Sequence, residues 1–108
     1  MAHIEISPAA GRVVVKWRGR TVVDTTHALE LKEGSYPPVF YFPREDADMS
    51  LLSASARRTT CPYKGEASYF SLGDDANAVW SYETPKPDVS AIAGHLAFYP
   101  DKVEIERA

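Results

Sequence analysis

The chain has 108 residues, a formal net charge of −3, 44% hydrophobic residues, 25% charged residues and one cysteine. This length favours one domain over residues 1–108, and the composition argues against general disorder. The negative net charge excludes a general attraction to nucleic acid or anionic membranes, and a single cysteine excludes an intrachain disulfide.

The N-terminal stretch "MAHIEISPAA" contains no apolar core of the kind that signal peptides carry. No segment of the chain is long enough and apolar enough to span a bilayer. We therefore expect a cytoplasmic protein.

Strand signals dominate the first third of the chain, in residues 3–6, 12–17, 20–26 and 28–32. The first and last of these segments alternate polar and apolar residues, as half-buried β-strands do. Only Arg18-Gly19 separates the second segment from the third, and a two-residue connection of this type predicts a β-hairpin.

The strand signal returns after residue 37. The segment "PVFYF" (38–42) is apolar and bounded by prolines, which is typical of a buried strand. Segments 66–72 and 78–83 flank the loop "GDDAN" (73–77), whose turn-forming residues predict a second hairpin. Two further strands are expected at residues 95–100 and 102–107, on either side of a turn at Pro100-Asp101.

Helix signals are short. Residues 44–52 are long enough for one or two turns, and residues 87–94 begin with the capping-type Asp88 and place Val89 and Ile92 inward. Many short strands with so little helix predict a mainly β protein. We expect a bent antiparallel sheet or small barrel with one or two short helical turns.

The loop "CPYKG" (61–65) predicts a stiff turn, because Pro62 fixes its φ angle and Gly65 can adopt a positive φ. Such a turn would present Tyr63 and Lys64 outward. A lysine on a rigid loop can bind an anion such as phosphate or carboxylate. The alternative is an ordinary turn that carries a solvated lysine.

Cys61 suggests a catalytic alternative. A reactive thiol needs a nearby cation, and Arg57, Arg58 and Lys64 lie close in the sequence. Free cysteines are more often small buried residues, and we expect Cys61 to face the core. One cysteine and three histidines without zinc-ligand spacing predict no metal site, and no cofactor is expected.

Aromatic residues supply the walls of a candidate pocket. Because neighbouring side chains on a strand face opposite sides, Tyr41 and Phe42 diverge, as do Tyr69 and Phe70. One ring of each pair can fill the core while the other lines a concave face. The rings that suit a stacking ligand are Tyr41, Tyr69, Trp80 and Tyr82. Core packing alone is the alternative for each ring. Arg44 follows a buried strand, where it marks either a pocket rim or the start of a helix.

In these segments the chain resembles the family catalogued as domain of unknown function 427. The matching stretches are "GRVVVKWRGRTVVDTTHALELKEGSYPP", "FYFPREDADMSLL", "TTCPYKGEASYFSL" and "AVWSYETPKPDVSAIAGHLAFYPDKVEI". The fold of the family is similar to the β-tent, the bent sheet of B-type methionine sulfoxide reductases, so the resemblance implies a β-tent-like domain here. The positions that match the family pattern are Tyr41, Arg44, Cys61, Tyr63, Lys64, Gly65 and Trp80.

The family also carries a nucleotidyltransferase-like label in some catalogues. Known nucleotidyltransferases hold metal ions and nucleotide with a Gly-Ser motif and paired downstream acids, and this sequence has no such motif. Many β-tent proteins bind zinc through two Cys-x-x-Cys pairs, and this sequence has neither pair.

Three functions are consistent with the sequence. The first is the binding of a small anionic, planar ligand, nucleotide-like or an acidic metabolite, in an aromatic-lined pocket. The residues expected to bind it are Tyr41, Arg44, Tyr63, Lys64, Gly65 and Trp80. The second function is an enzyme that uses Cys61 or Lys64. The third is an interaction module whose strand edges bind a partner chain or a second copy as a homodimer.

Overall fold

The fold is mainly β, as predicted. A computed structural model describes residues 3–108, which form ten β-strands and three short 3₁₀ helices. The strands are β1 (Ile4–Pro8), β2 (Val13–Trp17), β3 (Arg20–Thr25), β4 (Leu29–Glu33), β5 (Val39–Tyr41), β6 (Leu52–Cys61), β7 (Gly65–Leu72), β8 (Asp75–Ser81), β9 (Ala97–Phe98) and β10 (Glu104–Arg107). The 3₁₀ helices are Arg44–Asp46, Met49–Leu51 and Pro87–Ile92.

The strands form three antiparallel sheets. The first sheet has the order β1-β4-β5, the second β10-β2-β3 and the third β6-β7-β8-β9. An isolated bridge between Phe42 and Leu96 joins the end of β5 to the start of β9, and so links the first sheet to the third.

The third sheet contributes side chains to two hydrophobic cores. Core one lies between the second and third sheets and includes Val13, Val15, Val23, Phe42, Leu72, Val79 and Phe98. Core two lies between the first and third sheets and includes Leu31, Tyr41, Ala67, Tyr69, Tyr82, Val89 and Ile92. The predicted divergence of neighbouring rings is confirmed, since Tyr41 and Tyr69 enter core two while Phe42 and Phe70 face core one.

The first predicted hairpin is confirmed. Trp17 pairs with Arg20, so the connection between β2 and β3 is the two residues Arg18 and Gly19. Both have positive φ angles, +48° and +79°, which is the requirement of a type I′ turn.

The second hairpin is tighter than the sequence predicted. Leu72 pairs with Asp75, which leaves only Gly73 and Asp74 in the turn. The expected five-residue loop is wrong in length because residues 75–77 belong to β8.

The longest strand, β6, has no counterpart among the predicted elements. Its sequence "LSASARRTTC" shows no apolar alternation, and every side chain in it is exposed or half-buried. β6 is an edge strand, and its pairing with β7 is interrupted between Ala54 and Arg58. It is held by β7 rather than by a buried face, so the periodicity that marks other strands is missing.

The two helical segments are both 3₁₀ rather than α-helical. Residues 44–52 contain two separate turns, and the second is capped by the Asp48 side chain, which accepts from the Ser50 backbone N–H. Val89 and Ile92 are buried as expected, but the predicted capping role of Asp88 is wrong, because Pro87 already begins the helix and Lys86 stands at its N-cap. None of the helices in residues 3–108 is long and apolar enough to cross a membrane.

Candidate functional site

A cavity of about 270 Å³ opens beside core two, between the first and third sheets. Aromatic side chains dominate its walls: Tyr36, Tyr41, Tyr69, Trp80, Tyr82 and Tyr99. Lys64 and Glu33 are the charged residues among its walls. All four rings that the sequence singled out for a stacking ligand lie here, because strand alternation points them to the same side of the third sheet and of β5.

The rings of the cavity are held by contacts with one another. The indole Nε1 of Trp80 donates to the Tyr41 hydroxyl at 3.3 Å, and the two rings meet edge to face at 6.5 Å. Tyr99 also packs on Trp80, with ring centroids 4.7 Å apart. Trp80 is therefore fixed by two tyrosines, and its position in the cavity wall is set before any ligand binds.

Lys64 is buried, and the prediction that its loop presents it outward is wrong. Its exposed fraction is 8%, and its Nζ donates to Oε1 of Glu33 at 2.6 Å. Removing a lysine ammonium from water is energetically costly, so a buried lysine is almost always paired with an opposite charge. Glu33 ends β4, 31 residues earlier in the chain, so the pair joins the first sheet to the turn before β7.

The phenols of Tyr41 and Tyr82 stay protonated at neutral pH. Burial raises the pKa of Tyr41 to about 12, against the opposing effect of its hydrogen bond with Trp80. Burial also raises the pKa of Tyr82, with a contribution from the neighbouring Tyr41. These hydroxyls are therefore neutral groups that can both donate and accept hydrogen bonds.

Tyr69 differs from the other phenols. Burial acts to raise its pKa, but hydrogen bonds with Thr59 and Tyr99, together with the nearby Arg57 guanidinium, outweigh burial and leave the pKa below its usual value. The hydroxyl lies 2.9 Å from Thr59 Oγ1, and the Arg57 guanidinium lies 5.0 Å from the ring centroid. Arg57 thus adds positive charge at the rim of the cavity.

Arg44, Tyr63 and Gly65 are not walls of the cavity. Arg44 lies on the core-one side of the third sheet, where it donates to Glu83 Oε2 at 2.6 Å and lies 5.3 Å from the ring centroid of Phe70. It also begins a 3₁₀ helix, which confirms the prediction that Arg44 marks the start of a helix.

The residues on either side of Lys64, Tyr63 and Gly65, shape the turn that carries it. Tyr63 is 38% exposed at the tip of the turn. Gly65 has a φ angle of +113°, and its Cα faces the backbone of residues 84–86, where an added Cβ would lie 3.7 Å from three backbone atoms. The stiff turn is thus confirmed at Gly65, and its role is to bring Lys64 back over Glu33.

Cys61 is half-buried and packs against core two, as predicted for a free thiol. Its side chain is not part of the cavity wall. Within residues 3–108, no three histidine, cysteine or acidic side chains gather closely enough to hold a metal ion.

Sequence reasoning missed six residues of the cavity wall: the apolar Leu31, Pro37 and Val39, and the polar or aromatic Glu33, Tyr36 and Tyr99. Glu33 stands on the same side of β4 as Leu29 and Leu31, where an apolar residue would continue the alternation. Its partner cannot be read from the sequence, because the contact is made across sheets. Tyr36 comes from the β4–β5 connection, and its proline-rich context "GSYPP" is the only signal that could have drawn attention to it.

A protein-family profile matches almost the whole chain. The sequence profile described as "Domain of unknown function (DUF427)", which has a nucleotidyltransferase-like label, matches residues 5–108. No curated protein matches the chain.

Proposed function

Because this chain belongs to the DUF427 family, whose description assigns no reaction, we propose a function from the cavity itself: it binds a small planar ligand that carries an anionic group. The observation that supports the proposal is the convergence of five tyrosines, Trp80 and Lys64 on one cavity. Small-molecule sites commonly combine apolar and aromatic walls with a few fixed polar groups.

The size of the cavity favours a ligand of one or two rings. Its volume of about 270 Å³ lies just below the range of roughly 300–1,000 Å³ that is typical of pockets for drug-sized molecules. Rings stack on aromatic faces or meet their edges at little entropic cost when those faces are already fixed. Trp80, held by Tyr41 and Tyr99, is such a face.

Lys64 supports the anionic part of the ligand. An ammonium group has three protons to donate, and one of them is directed at Glu33. The remaining protons, with the neutral Tyr41 and Tyr82 hydroxyls nearby, can donate to a carboxylate or phosphate oxygen. Glu33 compensates much of the charge of Lys64, so the site favours one anionic group joined to a ring over a small multivalent anion.

The test compares ligands that share a ring and differ in charge: benzoate with benzamide, and adenosine 5′-monophosphate with adenosine. Binding is measured by isothermal titration calorimetry and by quenching of tryptophan fluorescence. We expect the anion to bind about tenfold more tightly than its neutral partner, because a hydrogen bond to a charged acceptor is roughly twice as strong as a neutral one. If none of the four ligands binds, the proposal is wrong.

Variants locate the site. In Trp80→Phe the only tryptophan left is Trp17, outside the cavity, so ligand should no longer quench fluorescence while calorimetry still detects binding. The double variant Glu33→Gln/Lys64→Met removes the ion pair without leaving a lone buried charge. It should bind benzoate and benzamide equally, and Lys102→Met, an exposed lysine outside the cavity, should keep the preference. If the unaltered protein bound benzoate and benzamide equally, the proposal that the ligand carries an anionic group would be wrong.

The enzyme alternative keeps Lys64 as its candidate within the cavity, since Cys61 lies outside the cavity walls. The same titrations bear on it, because a substrate would have to occupy the same space.

A further inference from the structure

A second concavity adjoins the aromatic cavity. It is an apolar groove of about 660 Å³ that continues over core one, past Phe40, Phe98 and Ile105. Its walls are apolar or aromatic apart from Glu33 and Arg107.

The two concavities share walls. Glu33, Tyr36, Pro37, Val39 and Trp80 line both of them. Trp80 is the point where they meet, since it packs on core two and also borders Phe98 of core one in the groove. A molecule seated beside Trp80 in the aromatic cavity therefore lies next to the groove.

The chemistry of the two spaces differs. The aromatic cavity holds a buried ion pair and several phenols, which suit a ring with a polar substituent. The groove offers aromatic, proline and aliphatic surface. The Arg107 guanidinium at its border lies 5.4 Å from the ring centroid of Phe40. A ring that fills the smaller space leaves the larger, apolar space exposed to water, which is unfavourable at about 25 cal/mol per Å² of apolar surface.

We propose that the ligand of this domain is amphipathic: its planar anionic head occupies the aromatic cavity and an apolar tail lies in the groove. This inference rests on the proposed function and adds a second part to the ligand. The five shared wall residues favour a tail joined to the head over an unrelated occupant. Because the groove has more than twice the volume of the cavity, we expect the tail to be the larger part of the ligand.

The test uses a ligand series in which only the tail changes: benzoate, 4-methylbenzoate and 4-butylbenzoate. We expect the affinity measured by calorimetry to rise along the series, by about tenfold or more from benzoate to the butyl compound, since each buried methylene adds severalfold. In the NMR spectrum of the unaltered protein, the butyl protons should show nuclear Overhauser contacts to Phe98 and Ile105.

A matched pair of variants identifies the groove. Ile105 and Ile6 are both half-buried isoleucines on edge strands, but Ile105 lines the groove and Ile6 lines neither space. Ile105→Asn should remove most of the gain from the butyl tail and leave the affinity for benzoate unchanged, whereas Ile6→Asn should preserve both.

The outcomes separate the two proposals. Benzoate that binds without any gain from the butyl tail, or butyl contacts that fall outside the groove, would overturn the amphipathic ligand and leave the proposed function intact. The amphipathic ligand is also overturned if a folded Ile105→Asn variant keeps the gain in affinity from the butyl tail. If benzoate itself does not bind, the proposed function fails, and the joined head and tail fail with it.

Discussion

Tyr41 shows how a single residue connects the core to the candidate site. Its ring is 1% exposed and belongs to core two, while its hydroxyl accepts the Trp80 N–H at the cavity wall. Burial raises its pKa to about 12 from a reference value of 10.0. The folded protein therefore disfavours the phenolate that the unfolded chain forms freely above pH 10.

This difference predicts an alkaline loss of stability. The contribution of Tyr41 is fully present below pH 10 and is lost as the pH rises from 10 towards 12, because the unfolded state then releases a proton that the folded state retains. We expect Tyr41 to account for about 1 kcal/mol of the fall in the free energy of unfolding between pH 9 and pH 11. Urea denaturation across this range should show a shallower fall for Tyr41→Phe.

The control for this prediction is Tyr36→Phe, which alters a tyrosine that is 72% exposed. It should reproduce the pH dependence of the unaltered protein. Identical curves for Tyr41→Phe and the unaltered protein would contradict the burial argument.

Lys64 shows the limit of sequence reasoning at this scale. The turn that carries it was predictable, because Pro62 and Gly65 act on the backbone locally. The direction of its side chain was not, because it depends on Glu33, which the fold brings near from another sheet. The four rings singled out from the sequence were predictable for the opposite reason, since strand alternation is a local rule.

At the scale of elements, the tip of the first hairpin docks on the tip of the second. The Trp17 Nε1 donates to Asp75 Oδ2 at 2.8 Å, and Arg18 pairs with Asp74 at 2.7 Å. Trp17 also covers Gly73, where an added Cβ would lie 2.1 Å from Cη2 of the indole. The indole cannot move aside easily, because it is buried in core one and fixed by its hydrogen bond.

Gly73→Ala should therefore be strongly destabilising. The φ angle of +56° penalises any Cβ, and the contact with Trp17 adds a steric cost. We expect a loss of about 3 kcal/mol in the free energy of unfolding, measured by urea denaturation. Gly19→Ala is the matched control, since Gly19 has a φ angle of +79° with nothing within 4 Å of an added Cβ. It should cost about 1 kcal/mol, and equal losses in both variants would refute the docking contact.

The elements that the sequence predicted share a local signature. The β2–β3 hairpin combines valine-rich segments with a two-residue turn, and Val89 and Ile92 mark the buried face of the last 3₁₀ helix. β6 was missed because its position at an edge makes its side chains polar, and the length of the β7–β8 turn was missed because Asp75 and Asn77 are turn-forming residues used within a strand. In both cases pairing across strands overrides the local preference.

At the scale of the whole molecule, the third sheet joins two cores that each contain or contact one tryptophan. Trp17 lies in core one, and Trp80 packs against core two. A sheet with a core on both faces cannot lose one of them without exposing its own backbone and side chains. This favours a single cooperative unit over two independent subdomains.

The two tryptophans can report on this directly. In Trp80→Phe the fluorescence follows core one, and in Trp17→Phe it follows core two. Within each variant, the urea midpoint from fluorescence should coincide with the midpoint from far-ultraviolet circular dichroism. An earlier fluorescence transition in Trp17→Phe alone would show that the first sheet and the candidate cavity open separately.

β6 has a consequence for the behaviour of the protein at high concentration. An uninterrupted edge strand of ten residues would offer a template for strand addition and fibril growth. Here the ladder breaks between Ala54 and Arg58, and the Arg58 guanidinium binds the carbonyl oxygens of Ser55 and Arg57. The positive charges of Arg57 and Arg58 repel a second copy of the segment, and the two carbonyl oxygens are already hydrogen-bonded. The longest strand of the fold is therefore poorly suited to pair with another chain and to start aggregation.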